Sequence, residues 1–223
     1  MSKIIIVVAI VLIIAAAIYF ERNRSSGMAK IASGMGLGFS AGQQKLPAEL
    51  GKKGFDLFTQ GAPNIKNLMS GFIDGREVAI FDYAYEAEEG GEGVSDAPLG
   101  HDHQINEKRI QMVVWLKLEK SLPDFDLSPT RMHKRTVAGR FGLARITLDG
   151  QPVFNENFIL LGRDGEKVRQ LFSQEVIDHV AGQRDLMVES RGSDLLVYRL
   201  SKRTDPDAIS AFYQGARRLA DLL

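Results

Sequence analysis

Hydrophobic positions are distributed along this chain in two unlike ways. Residues 4–20 form a run of seventeen without one charge, IIIVVAIVLIIAAAIYF. At the helical rise that run spans about 25 Å, near the lower limit for crossing the hydrocarbon core of a bilayer. A backbone in lipid must satisfy its own polar groups, so a run this rich in β-branched residues is predicted to be helical despite its propensity. Tyr19 and Phe20 end it where aromatic rings suit the headgroup layer. A cleaved signal peptide is the competing reading, with Ala15, Ala16 and Ala17 as the cleavage site. The apolar stretch continues past those alanines through Ile18, which favours an uncleaved anchor.

After the anchor the pattern becomes that of a globular chain. Residues 21–27 read as a polar linker and 28–35 as a short helix, before Gly34, Gly36, Gly38 and Gly42 interrupt regular structure. A short strand is expected at 37–40; residues 47–60 fit no period. Residues 67–73 and 77–86 flank Asp74-Gly75, which predicts a two-residue hairpin because both positions tolerate positive φ. Residues 87–106 are acidic, glycine-rich and unpatterned, and are expected to form a mobile loop.

The clearest strand follows at 110–118, with Ile110, Met112, Val114, Leu116 and Leu118 on the face expected to be core. The phrase Leu122-Pro123-Asp124-Phe125-Asp126-Leu127-Ser128-Pro129 is expected to end regular pairing, because each proline lacks an amide donor. It reads as an edge strand, with Phe125 and Leu127 turned inward and Asp124 and Asp126 exposed. A basic helix is expected at 130–141, and 152–161 is expected to contain a strand with Phe158 to Leu161 as its apolar end. Asp164 and Ser173 are positioned to cap two short helices, the second closed by Gly182. A last hairpin is expected around Arg191-Gly192. The final helix has Asp205 as cap, Pro206 in its first turn and Ile209, Phe212, Ala216, Leu219 and Leu223 as an apolar stripe.

Strands in hairpins with helices interposed late predict an α+β fold: a mainly antiparallel sheet, helices on one face and a C-terminal helix, preceded by one transmembrane helix. The expected division is an anchor at 1–20, a linker at 21–27 and one α+β domain at 28–223.

Composition narrows the function classes. Formal net charge is zero, with 28 basic and 28 acidic residues, which disfavours a nucleic-acid binder. The chain has no cysteine, so thiol catalysis and disulfides are excluded. Beside the anchor, Arg22, Arg24 and Lys30 outnumber the single Lys3 before it. The positive-inside rule then puts the domain in the cytoplasm, on a single-pass protein of the inner membrane, with the bilayer bound through residues 4–20. Charge is unevenly placed further on. Seven acids and no base lie between Glu86 and Glu107; five bases and no acid lie between Arg131 and Arg145. Such runs are ordinarily solvated faces. Arg131, Lys134, Arg135 and Arg140 are nevertheless candidates for contact with anionic lipid or a protein partner.

Several of these phrases together resemble a family of uncharacterised bacterial proteins with an N-terminal membrane anchor and an α+β domain. They are residues 81–85 (FDYAY), 111–114 (QMVV), 122–129 (LPDFDLSP), 154–158 and 191–198 (RGSDLLVY). The resemblance spans about 30–223 and implies no activity, cofactor or site residue.

Candidate chemistry is sparse. Residues 38–42 match G-x-S-x-G, but that motif needs a buried strand before Ser40 and a helix after it. Gly34, Gly36 and Gly38 are likewise a poor phosphate loop, lacking Gly-Lys-Ser/Thr. His101 and His103 could offer imidazoles to a metal, yet structural sites usually draw four preorganised ligands. Phe81, Tyr83, Tyr85 and Trp115 read as core, without the interleaved bases of a single-strand nucleic-acid platform. The chain is therefore read as a membrane-anchored, non-catalytic interaction or scaffold protein without a cofactor. The alternative is a hydrolase or metal-dependent enzyme using Ser40 or the His101/His103 loop.

Overall fold

The structure is a computed structural model and describes residues 2–46, 48–59, 64–87, 107–132, 142–183 and 185–223. It contains one antiparallel sheet of seven strands and six α-helices among those residues. The first helix, α1 (Ser2–Gly34), is long and apolar enough to cross a membrane. Its side chains from Ile4 to Phe20 are exposed, Ile13 at 68% and Phe20 also at 68%. The polar stretch 21–27 is not a linker between two helices: it is helical and continuous with what precedes and follows it. No proline or glycine pair interrupts it, so the intrahelical ladder carries on from the apolar run into the body.

Two glycines then stop the helix. The amide of Leu37 donates to the carbonyl of Ala32 at 2.8 Å and that of Gly36 to Ser33 at 3.2 Å. Gly36 has φ 72°, the left-handed geometry this C-terminal cap demands. The candidate phosphate loop is thus a helix terminator.

From there β1 (Gly38–Ser40) pairs with β2 (Asn64–Ile73), which turns at Asp74-Gly75 into β3 (Arg76–Ala87). Asp74 and Gly75 have φ 49° and 80°, as the hairpin expectation requires. β4 (Glu107–Pro129) is much longer than expected. Its first half pairs with β3 and its last five residues with β6 (Phe158–Gly162), end to end along one edge. β7 (Leu186–Arg199) runs along the other edge. β5 (Ala144–Ile146) closes the far side of β6.

Three stretches differ in part from expectation. The 122–129 phrase is interior to the sheet, flanked by β6 and β7, rather than an edge. Register shifts between Lys117 and Phe125 absorb Pro123, whose missing amide would break a regular ladder. The chain does fold back at Arg191-Gly192, with Gly192 at φ 61° and Tyr198 bonded to Glu189, but each half of β7 pairs with β4 as one continuous strand. Within 152–161 the strand is the apolar end expected for it, from Phe158, while residues 152–157 are α3 (Pro152–Asn157), a helix begun by its proline.

The short helices fit their caps. Asp164 accepts from Lys167 N at the start of α4 (Gly165–Leu171), and Ser173 from Val176 N at α5 (Gln174–Ala181). At α6 (Pro206–Leu222) the first turn holds Pro206, but Asp205 makes no side-chain cap bond.

Both faces of the sheet are buried. On one, Met112, Val114, Leu116 and Phe125 pack with α1 through Met28 and Ala32, with α4 and α5 through Val168, Val176 and Val180, and with α6 through Ile209 and Phe212. On the other, Phe81, Tyr83, Tyr85, Trp115 and Tyr198 lie under the segment holding α2 (Ala48–Gly51) and the 3-10 turn Asp56–Thr59, through Leu50, Phe55 and Leu57.

Candidate functional site

The body meets the apolar helix at a charged joint. Along α1 and into the turn that ends it, Glu21, Arg24, Ser25, Met28, Ile31, Ala32 and Met35 recur at three- and four-residue spacing, which puts them on one face. The last four are apolar and join the core beneath them. The first three are polar, because here the helix crosses the buried carboxylate of Asp82 on β3, itself 3% exposed.

Asp82 shares the core-facing side of β3 with Val78 and Ile80. A lone acid on that side must be paired. Arg24 donates to it through both Nη2 and Nε, at 2.6 and 2.8 Å, a fork-to-fork geometry. Arg24 Nη1 also donates to the carbonyl of Thr204 at 2.7 Å, tying in the connection to α6. Asn67 Nδ2 donates to Asp82 at 2.9 Å and its Oδ1 accepts from the Ser25 hydroxyl. Asn67 stands at φ 53°, in the β-bulge where β2 shifts register between Lys66 and Met69. That bulge aims the amide at the joint. Arg203 completes it: Nη2 reaches Asp82 at 3.1 Å, while Nη1 and Nη2 grip Glu21 at 2.5 and 3.0 Å.

Burial pushes the Asp82 carboxyl upward. The bonds and charge of Arg24, with Asn67 and Arg203, outweigh it and leave the group below its ordinary value. The Arg203 bond holds Glu21 below the ordinary range as well. Both acids are therefore ionised near neutrality. Such an arrangement fixes orientation and does no bond chemistry: every acceptor is taken up by a donor from the protein itself.

A second buried network pins the segment over the opposite face. Glu189, 2% exposed, accepts from the amides of Asp56 and Leu57 at 2.6 and 3.1 Å and from the Tyr198 hydroxyl at 2.7 Å. Arg191 pairs with Asp126 at 2.6 and 3.1 Å and donates to the Gly54 carbonyl at 3.0 Å. Burial, with the nearby charges of Asp126 and Asp56, pushes the Glu189 carboxyl up to about 8. Asp126 is thus buried and paired, where an exposed position was expected; the interior placement of β4 is the reason.

The residues singled out from the sequence are scattered. Ser40 is exposed and ends a three-residue antiparallel strand, without the strand–turn–helix that a nucleophile elbow needs. Among the described residues it has no histidine or carboxylate hydrogen-bonded to it, and no group of three or more acids and histidines is placed to hold a metal. His101 and His103 lie outside the described residues, as do Lys134, Arg135 and Arg140. Arg131 is described. It lies in the short turn that follows the end of β4 at Pro129, and it is exposed. Phe81, Tyr83, Tyr85 and Trp115 are buried side by side in the second core layer, as their alternation implied.

The joint went unseen because its members lie up to 182 positions apart in the chain. One signal was present. Asp82 interrupts the inward-facing Val78, Ile80 series and demands a cation, and Arg24 is three residues from Glu21 on an otherwise amphipathic turn.

No protein-family model matches the chain, and no curated protein matches it. Among solved structures, the fold resembles the crystal structure of the mycobacterial trehalose monomycolate transport factor A, TtfA, with a TM-score of 0.62. That likeness covers 91% of this chain and 95% of the other at 14% sequence identity, which establishes a shared fold.

Proposed function

We propose that the chain is a single-pass membrane protein whose non-catalytic α+β body is held in a fixed pose against the bilayer and serves there as a docking platform. One observation carries this reading. The helix that is apolar and fully exposed over residues 4–20 continues unbroken into ion pairs with the body at Glu21 and Arg24. A flexible tether would need no such joint. The excess of Arg22, Arg24 and Lys30 after the apolar run supports a cytoplasmic body, since that rule acts on the chain as it inserts, before Arg24 is paired. The neighbour that shares the fold is a trehalose monomycolate transport factor. A supporting role in transport at the same membrane agrees with that likeness.

Arg131, Lys134, Arg135 and Arg140 remain the proposed contact for a partner. Fractionation tests the anchor: the full chain should stay in membranes through alkaline carbonate, and Ile10→Asp with Ile13→Asp should release it. Retention of that variant would contradict anchoring by α1. Crosslinking in native membranes tests the contact. Reversing the four charges should abolish adducts formed by the parent chain while leaving fractionation unchanged, and unchanged adducts would retire the basic segment as a docking site.

A further inference from the structure

Between β1 and β2 the chain makes a detour. The two strands are antiparallel neighbours, which a loop of about two to five residues could join. Instead the chain leaves at Gln44 and returns at Ile65, where the Gln44 amide donates to the Ile65 carbonyl at 2.8 Å. Departure and return are clasped to each other, so the pairing of β1 with β2 is complete without what lies between. Residues 48–59 cross the second face as far as β7, three strand spacings from β2, about 14 Å.

Among the described residues, no backbone–backbone hydrogen bond joins 48–59 to a strand. Side chains of the sheet grip its backbone instead. Glu189 accepts from two successive amides, Asp56 and Leu57, and Arg191 Nε donates to the Gly54 carbonyl. The Tyr83 hydroxyl donates to the Leu57 carbonyl at 3.2 Å. Between these bonds Phe55 and Leu57, both fully buried, fill the apolar floor that Trp115 and Tyr198 help to form. The gripping groups are placed by the sheet itself. Arg191 holds Asp126 with two nitrogens and donates to the Ser190 carbonyl at 2.8 Å, and the Tyr198 hydroxyl fixes Glu189. Such a site needs little reordering to take a chain, and its bonds to a backbone leave selection to the side-chain pockets.

The resident segment fits poorly in one respect. Glu189 and Asp126 already set two buried acids against the guanidinium of Arg191. Asp56 adds a third acid, 7% exposed, whose charge acts on Glu189. Like charges brought together in a dry site oppose closure.

We infer that residues 50–59 occupy, in cis, a peptide groove that a segment of a partner protein takes over, one with Phe and Leu two positions apart and an uncharged residue between them. The groove rests on the docking-platform reading above. It needs neither the anchor nor the basic segment, so fractionation and charge reversal are indifferent to it. A tethered segment competes at an effective concentration of about millimolar, and the missing acid gives the incoming one its advantage.

Amide exchange in the full chain in nanodiscs tests whether the segment leaves by itself. The Asp56 and Leu57 amides should exchange at least about a hundredfold faster than that of Val114 in β4, after correction for intrinsic rates. Exchange of all three together would make the segment part of the sheet's own unfolding and overturn the groove. Two labelled peptides copying residues 52–59, one unchanged and one with Asp56→Asn, test the partner. Full chains with Phe55→Ala and Leu57→Ala, or Leu57→Ala alone where the double change does not fold, leave the groove open to them. The Asn peptide should bind such a chain several-fold tighter than the unchanged peptide and at least tenfold tighter than it binds the parent. Emission from Trp115, the single tryptophan, should shift on binding. No binding of either peptide to a folded variant would overturn the groove, and tighter binding of the unchanged peptide would overturn the uncharged partner. Chain-to-chain crosslinks from a photoreactive group at Phe58 would give the groove to a second copy and overturn that choice as well.

Discussion

Asp82 has more bonded partners than any other residue of the joint. Arg24, Arg203 and Asn67 all converge on a carboxylate that is 3% exposed. Asp82→Asn keeps the shape and removes the charge, stranding two guanidinium groups. Removing one partner of a buried pair costs about 3–5 kcal/mol; because Arg203 is partly exposed, the lower end, about 3 kcal/mol, is expected from urea unfolding in detergent. Arg24→Ala and Asp82→Ala should be less than additive by about 1 kcal/mol or more; additivity would show that the two do not act as a unit. Glu189 predicts a pH dependence of opposite sign to Asp82. Its folded value, about 8, lies above the ordinary 4.5, so the folded state holds a proton that the unfolded chain releases. Stability should fall as pH rises from about 4.5 to 8, by at most about 1.4 kcal/mol per unit for one proton. Asp82 and Glu21 are held low, so their contribution is present above the ordinary carboxylate range and is lost as pH falls through their depressed values. Glu189→Gln should flatten the alkaline slope and leave the acid limb in place. An unchanged slope would show that Glu189 is ionised throughout.

At the scale of elements, local signals and long-range pairing contribute separately. Asp74-Gly75, the Ser173 cap and the 110–118 alternation were legible because each is settled within a few residues. The reversal at Arg191-Gly192 was legible for the same reason, but the partner of its two halves was not. That partner is β4, some seventy residues earlier and long enough to pair with both. The same strand explains Asp126: only the presence of β6 and β7 on both sides makes its position interior. The seat of α1 on α6 was equally hidden. A Cβ on Gly27 would lie 3.0 Å from Pro206 Cβ and Cγ, so the helices touch through a missing side chain. On an exposed helix Gly27→Leu would gain up to about 1 kcal/mol. Here overpacking should cost about 1–3 kcal/mol net, lowering Tm by several degrees in thermal unfolding. A higher Tm would mean that α6 does not close on α1.

For the whole molecule, the consequence is mechanical. A body joined through one helix can swing freely or be carried as part of the helix, and the pairing of Glu21 and Arg24 with Arg203 and Asp82 selects the second. The apolar run and the α+β class were readable from periodicity alone, since neither depends on which distant residues meet. The joint was not, because the 21–27 stretch is polar for two reasons that look alike in sequence: a linker exposes its charges, and this helix spends them on buried partners. A docked body also explains why the polar and apolar contacts of α1 are consecutive on one face, with Met28 and Ala32 fully buried directly after the ionic turn. The most direct measurement is the distance between nitroxides on Ile13→Cys, in the apolar run, and Glu77→Cys, on the exposed side of β3, in the full chain in lipid nanodiscs. A rigid joint predicts one narrow distance distribution, broadened when Asp82→Asn is added. A broad distribution in the parent chain, insensitive to Asp82, would contradict the account.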